Sequence, residues 1–317
     1  MTLKRRERAR AQSRKAADAR RARPTISIIG AGRLGTALAL ALSGCGYQVE
    51  AVVSRVQAHA RRAARLIDAN TLALTTKQLH RLPPSSLLFI TTPDDAISET
   101  AARISEEIKG RVRGRVALHT SGALSSEELR GLREAGFSTG SMHPLVAVSE
   151  ARAGALSLSR AFFCIEGERR AVNVARRIVK DLGARSFSVS TEAKALYHAA
   201  AVTASGHMVA LFDIATEMLA RCGLGEREAR AILMPLVEST LVNLREREPA
   251  SALTGTFARA DVETVRRHLD AIRRERMKEA LAAYTLLGQR SLKLAKQRGA
   301  DADSLEAILK LLSDESE

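Results

Sequence analysis

Short apolar runs alternate with amphipathic stretches from Pro24 onward. Thr25–Ile29 (TISII) is an apolar run of strand length, and it leads into Gly30-Ala31-Gly32-Arg33-Leu34-Gly35. An Ala/Leu-rich stretch then predicts a helix to about Ser43, stopped by Gly44 and Gly46. Gln48–Val53 predicts a second strand and Val56–Asp68 a second helix. Further strands are predicted at Leu87–Thr91, Arg115–His119, Phe137–Met142 and Phe162–Glu166, with helices over Asp94–Lys109 and Ser125–Ala135 between them. Strands alternating with helices predict an α/β fold, a doubly wound and mostly parallel Rossmann sheet. After about Ser190 the strands cease. Thr191–Cys222, Glu226–Arg247, Asp261–Gly288 and Ser304–Leu312 are helical patterns, punctuated by Gly223, Gly225 and the Pro249–Gly255 stretch. The expected organisation is a Rossmann domain over 24–190 and an all-helical second domain over 191–317, preceded by a tail over 1–23. Thr191–Leu219 is apolar on most faces, which predicts burial between domains or between subunits.

Composition narrows the classes. A chain of 317 residues with 45% hydrophobic content has room for two cored domains. No run is read as approaching the ~20 uncharged apolar residues of a membrane span, so no membrane partner is expected. Cys45, Cys164 and Cys222 lie far apart without a CxxC pair. That excludes a disulfide framework or a cysteine zinc site and fits a reducing, cytoplasmic setting. With no Trp and only 3% aromatics, stacking on single-stranded nucleic acid is poorly supplied. The net charge of +15 is uneven: residues 1–23 hold ten basic and two acidic residues, leaving +7 for the rest. The tail reads as a solvated Arg-rich extension, and nucleic acid is not the expected partner.

The glycine loop has the context that a dinucleotide site requires, a strand before it and a helix opening at it. Gly30 permits the tight turn, Gly32 lets backbone approach a pyrophosphate, and Gly35 lets helix and strand pack closely. Arg33 and Leu34 complete the loop. The end of the second strand selects the nucleotide. An NAD site carries an acidic residue there for the ribose hydroxyl. Here the chain reads Ser54-Arg55, with Ser54 19 residues past Gly35, while Glu50 comes four residues too early. Arg55 offers a fork for a 2′-phosphate, so NADP (NADPH) is the expected cofactor.

Three motifs follow later strands. Thr91-Thr92-Pro93-Asp94 places Thr92 and Pro93 beside the cofactor, with Asp94 read as a helix cap. His119-Thr120-Ser121-Gly122 and Met142-His143-Pro144-Leu145 put His119, Ser121 and His143 where a substrate wall is expected. Convergence of His119, His143 and His198 on a metal is the alternative; no HExxH or acidic pair accompanies it, and no metal is expected. Lys194 and His198 are four apart and share a helix face, with Ser205 seven beyond. A positive donor there suits carbonyl reduction, in which hydride reaches carbon while the donor stabilises and protonates the alkoxide. Lys194 is the expected donor, with His198 and Ser205 beside it.

Thr25–Gly35, FITTPDDAI (Phe89–Ile97), LHTSGAL (Leu118–Leu124), MHPL (Met142–Leu145), KALYHAAAV (Lys194–Val202) and Leu253–Asp261 resemble one family over about residues 24–312. It pairs a Rossmann-like NADP-binding domain with a C-terminal helical domain of uncertain function. It is similar to pyrroline-5-carboxylate reductases, ketopantoate reductases and the 6-phosphogluconate dehydrogenase superfamily. The resemblance implies an NADPH-dependent reductase of a small 2-keto acid, ketopantoate first, serving pantothenate synthesis. It implies a lysine acting from the Lys194 position on substrate held between domains, and a homodimer through the helical domain. Arg259 is the expected carboxylate anchor. The chain departs from the family pattern at Ala204-Ser205-Gly206, at Thr254–Asp261 and at Val146-Ala147-Val148, all on the substrate side. Reduction of a cyclic imine and non-catalytic NADP binding are the alternatives.

Overall fold

The computed structural model describes residues 23–108 and 112–314. The 1–23 tail thus lies, but for Arg23, outside the described residues. Eight strands form one sheet: β1 Ile26–Ile29, β2 Val49–Ser54, β3 Leu72–Thr75, β4 Leu87–Ile90, β5 Val116–His119, β6 Ser138–Leu145, β7 Phe162–Gly167 and β8 Arg185–Phe187. Their order is β3-β2-β1-β4-β5-β6-β7-β8. All neighbours are parallel except β6 and β7, which are antiparallel. The sheet of the sequence reading is therefore present.

The central strands read as unbroken apolar runs because both faces are covered. Ile26, Ile28, Val52, Phe89 and Phe163 belong to one core. Ile29, Val53, Leu88, Ile90 and Ile104 belong to another. The helices beside the sheet are α1 Arg33–Gly44, α2 Gln57–Ile67, α3 Ile97–Glu107, α4 Arg130–Glu134, α5 Ala151–Leu158 and α6 Arg169–Asp181. Four of these elements escaped the sequence reading: β3, β8, α5 and α6. Two of the three β8 residues are exposed, so no apolar run marks it. In α6 the signal was there, since Ala171, Ala175, Ile178 and Val179 are its buried residues at helical spacing. Its arginines obscure the stripe.

Chain contacts divide the molecule into two units that meet in sequence at Val202 and Thr203. The expected boundary was residue 190. Helix α7 (Lys194–Ala204) begins inside the first unit. The second unit carries α8 Gly206–Arg221, α9 Glu226–Glu246, α10 Pro249–Ala252, α11 Val262–Arg274, α12 Lys278–Gln297 and α13 Ala302–Ser313. Val265, Leu269, Leu292, Ala295, Ile308 and Leu312 form its core. Asp261 and Asp301 cap α11 and α13 by accepting from Thr264 N–H and Ser304 N–H.

Two long helices of the sequence reading are broken. Thr191–Cys222 divides at Ser205 (φ −123°, ψ −71°), next to Gly206. Asp261–Gly288 divides near Arg276, whose φ of +55° is left-handed without a glycine to announce it. The expected burial of Thr191–Leu219 also fails within the chain: Lys194 is the one buried residue of α7 and Thr216 that of α8. Nor does the exclusion of a spanning length hold. The 28-residue stretch Lys194–Arg221 contains an 18-residue window of mean hydropathy 1.3 and is long and apolar enough, by length and composition only, to cross a membrane. The sequence reading overlooked that Ala195–Phe212 contains no Asp, Glu, Lys or Arg.

Candidate functional site

The loop after β1 is built around its glycines. Gly30 has φ +118°, and a Cβ there would stand 2.6 Å from the Thr91 carbonyl carbon. A Cβ on Gly35 would collide with the Gly30 carbonyl oxygen. Thr91 Oγ1 donates to that same oxygen at 2.7 Å and clips the loop to the end of β4. Gly32 is different. It is the N-cap of α1, supplies no side-chain cap, and a Cβ on it would meet nothing within 4 Å. The first-turn N–H groups from Arg33 to Gly35 are therefore presented on an open face, the geometry that receives a pyrophosphate.

Ser54 ends β2 and the exposed Arg55 follows it. Glu50 lies at the other end of β2, where its carboxylate accepts from Ser85 Oγ at 2.5 Å. It has no place at the nucleotide edge. Thr92, just past β4, has a buried hydroxyl oxygen without a hydrogen-bond partner. Pro93 N-caps the short turn Asp94–Ala96. Gly30, Ser54 and Thr92 thus line the carboxyl edge at the point where strand order reverses about β1. The residues present fit a dinucleotide, with an arginine and a serine rather than a carboxylate at its ribose end.

A polar cluster lies further along the same edge, within the first unit. Lys194 is 1% exposed. Its Nζ donates to Ser141 Oγ at 2.5 Å and to the Ser121 carbonyl at 3.3 Å, and stands 3.7 Å from Glu166 Oε1. Glu166, 6% exposed, also accepts from Ser126 N–H at 2.7 Å and from Ser126 Oγ at 2.9 Å. Burial lowers the lysine pKa more than Glu166 raises it. The sequence reading made Lys194 a donor facing substrate. In the structure the ammonium is buried and its donors are aimed at protein oxygens.

His119 and Ser121 are likewise engaged inside the protein. His119 is fully buried, its Nε2–H donates to the Ser125 carbonyl at 2.9 Å, and its Nδ1 accepts from Ser121 N–H at 3.2 Å. Both ring nitrogens are spent inside the protein, so the imidazole braces a turn. Ser121 Oγ donates to Asp94 Oδ2 at 2.8 Å and accepts from the N–H groups of Ala123 and Leu124. It ties the β5 exit to the β4 exit, and Asp94 receives this bond rather than capping its helix.

His143 is only partly buried. Together with Tyr197, His198 and Gly122 it forms a half-open corner. His143 Nδ1 is 2.6 Å from Tyr197 Oη, and its ring meets the His198 ring edge-on with centroids 5.5 Å apart. His198 Nδ1 is buried and without a partner. Arg259 and Ser205 belong to the second unit, both exposed, and Ser205 lies outside regular helix, so the seven-residue spacing from His198 does not carry to it. Sequence reasoning missed Glu166, Ser141 and Tyr197. The one signal for Glu166 was a carboxylate inside the apolar strand FFCIEG. Among the described residues no group of three His, Cys, Asp or Glu side chains gathers in a way that could hold a metal ion.

Burial holds the His119 pKa near 3 and the His143 pKa near 4, with the Lys194 charge pushing the same way. Both lie below the unfolded value of 6.5, so the unfolded chain binds protons first as the pH falls. Stability is full above pH 6.5 and is lost on the way down toward pH 3 to 4. His119 alone should cost about 2 kcal/mol between pH 7 and pH 5. Urea unfolding at the two pH values measures this, and a pH-independent midpoint would contradict the buried neutral imidazoles.

No protein of curated function matches the sequence. A Rossmann-like domain model matches residues 10–144, and the domain of unknown function DUF2520 matches residues 161–291. The two matches follow one another along the chain. Among solved structures, a provisionally assigned NADP oxidoreductase from Bacteroides fragilis shares 24% identity at a TM-score of 0.70, covering 86% of this chain and 98% of that one. The Thermotoga maritima protein TM1727 shares 22% at 0.67, covering 86% and 99%. A Plasmodium falciparum pyrroline carboxylate reductase with NADP bound shares 10% at 0.53, covering 86% and 98%. At these identities the likeness is one of fold.

Proposed function

We propose that this protein is an NADPH-dependent reductase that adds hydride and a proton to the C=O bond of a small 2-keto acid, ketopantoate being the first candidate. The observation that carries the reading is the open, uncapped α1 N-terminus at Gly32, combined with Ser54 and Arg55 at the end of β2. Gly30, Gly32, Arg33, Leu34 and Gly35 would hold the pyrophosphate, Ser54 and Arg55 the 2′-phosphate, and Thr92 and Pro93 the ring side. The bound dinucleotide supplies hydride. The fold shared with a reductase solved with NADP supports the assignment.

Arg55 gives the direct test. Losing a charge-assisted contact to the 2′-phosphate is worth about 1.5–3 kcal/mol, or roughly 10- to 100-fold in affinity. Arg55→Ala should weaken NADPH by that factor and leave NADH within twofold, measured by dinucleotide fluorescence titration. Equal losses for both nucleotides would remove the NADP assignment. Turnover of a panel of keto acids and cyclic imines decides the chemistry. Tight NADPH binding with no turnover would favour the non-catalytic reading.

The cyclic-imine reading gains from one observation. The Lys194 ammonium is sealed and engaged, and a protonated imine needs no acid from the protein. Self-association through the second unit is part of the proposal. Val209, Leu236 and Leu286 expose 67%, 64% and 68% of their surface there, more than a monomer gains from leaving wet. Free cysteines at 45, 164 and 222 accord with a cytoplasmic setting.

A further inference from the structure

We propose that His198 is the proton donor of the reduction, delivering a proton from Nδ1 to the carbonyl oxygen beside Gly122, and that Tyr197 and His143 position it. The proposal rests on the reductase reading and assigns the role that Lys194 leaves vacant.

Three observations converge on Gly122. A Cβ on this residue would overlap His198 Nδ1, and it would lie 2.9 Å from both Nε2 and Cε1 of His143. Two imidazoles therefore press on the one backbone position that carries no side chain. His198 Nδ1 is buried there without a hydrogen-bond partner, although an unpaired buried polar atom is costly. His198 as a whole is only partly buried.

The neighbours dictate the chemistry of this corner. Tyr197 keeps its proton, because burial and the nearby Cys164 thiol raise its pKa. Its hydroxyl pairs with His143 Nδ1 at 2.6 Å, and here it is assigned as the donor of that pair. With that assignment His143, held neutral by burial and by the His198 and Lys194 charges, carries its own hydrogen on Nε2. Thus Nε2–H of His143 and Nδ1 of His198 present two donors at one point. Lys194 lies beneath them on the same helix, one turn before His198, and its charge makes a developing negative charge above less costly.

Place also fits. Gly122 follows β5, and Ser121 Oγ bonds Asp94 at the exit of β4, so the corner adjoins Thr92 and Pro93. It lies two strands from β1, roughly 10 Å across the sheet from the glycine loop. In the step itself the carbonyl carbon gains a C–H bond and the two electrons of the hydride. The π pair moves to oxygen, and oxygen takes the proton from the His198 imidazolium. The neutral imidazole is then reprotonated from water. The groups facing this pair from the packed elements are Lys194 and Tyr197 on α7, Glu166 and Cys164 on β7, and His119 on β5.

The test compares wild type, His198→Ala, His198→Gln and Tyr197→Phe. Both His198 variants should lose about 100-fold in kcat toward keto acids while NADPH affinity stays within twofold. Added imidazole should restore part of the His198→Ala rate. Tyr197→Phe should shift the acidic limb of the kcat profile and leave KM nearly unchanged. A readout independent of turnover is the nitrogen NMR of labelled histidines: His143 should show a bare Nδ1 in the wild type and mixed tautomers in Tyr197→Phe. If wild type turns over and His198→Ala stays within threefold, or imidazole does not rescue it, the proposal falls alone. If wild type binds NADPH and reduces nothing in the panel, the reductase reading falls with it. A His143 protonated on Nδ1 in the wild type overturns the positioning role.

Discussion

Glu166→Ala should destabilise the protein by about 3–5 kcal/mol, the largest single-site loss expected in the first unit. The carboxylate is 6% exposed and faces a lysine that is 1% exposed. Removing it strands a buried ammonium and also orphans Ser126 N–H and Oγ, which both donate to it. The counterpart is a double replacement, Glu166→Gln with Lys194→Met. Glutamine keeps an oxygen for Ser126 N–H, and no charge is left uncompensated. Its loss should be smaller than that of Glu166→Ala by about 2 kcal/mol or more, because a buried pair removed together costs less than a pair broken. Urea unfolding at pH 7 reads both. A Glu166→Ala cost under about 1 kcal/mol would show that water reaches the pair. The same comparison separates stability from catalysis, since Lys194 is a buried charge already engaged by protein oxygens.

Gly32→Asp should move binding and stability in opposite directions. A Cβ at residue 32 meets nothing within 4 Å, so the fold has room for the side chain. Position 32 is the N-cap of α1 and now offers no side-chain acceptor. Aspartate there would accept from the first-turn N–H groups and oppose the helix dipole, adding a few tenths of a kcal/mol. The same carboxylate would stand where the pyrophosphate belongs. NADPH affinity should fall by at least about 100-fold, from lost N–H contacts together with charge repulsion. Thermal unfolding and fluorescence titration check the two halves. A variant that melts no lower yet binds NADPH normally would place the dinucleotide elsewhere. Gly35→Ala is no substitute, because its Cβ would strike the Gly30 carbonyl and the fold itself would suffer.

Legibility of the chain followed the range of each interaction. TISII, the glycine loop and the helix after it announce themselves because strand, turn and helix start are each settled by adjacent residues. The Ser54-Arg55 placement was also readable, since it follows from counting along a single βαβ unit. What ran past a helix break was misread. Nothing local at Arg276 marks a left-handed residue, and Ser205-Gly206 looks continuous in a stretch that is apolar on both sides. A three-residue strand such as β8 offers too few positions for any period to show.

At the polar edge the sequence by itself determined which residues were available: two histidines at strand ends, and Lys194 and His198 one turn apart on a helix. It did not determine which of them faces outward. His119 and His143 look alike in the chain, each at a strand's end. Yet both nitrogens of His119 are consumed by a turn six residues on, while His143 reaches Tyr197 from 54 residues away. Lys194 finds its partners at Ser141 and Ser121, 53 and 73 residues earlier. Whether a charge is sealed or free depends on such distant groups and on the burial they impose together. That balance of desolvation against hydrogen bonds exists only once the sheet has assembled, and it leaves Lys194 engaged and His198 Nδ1 without a partner.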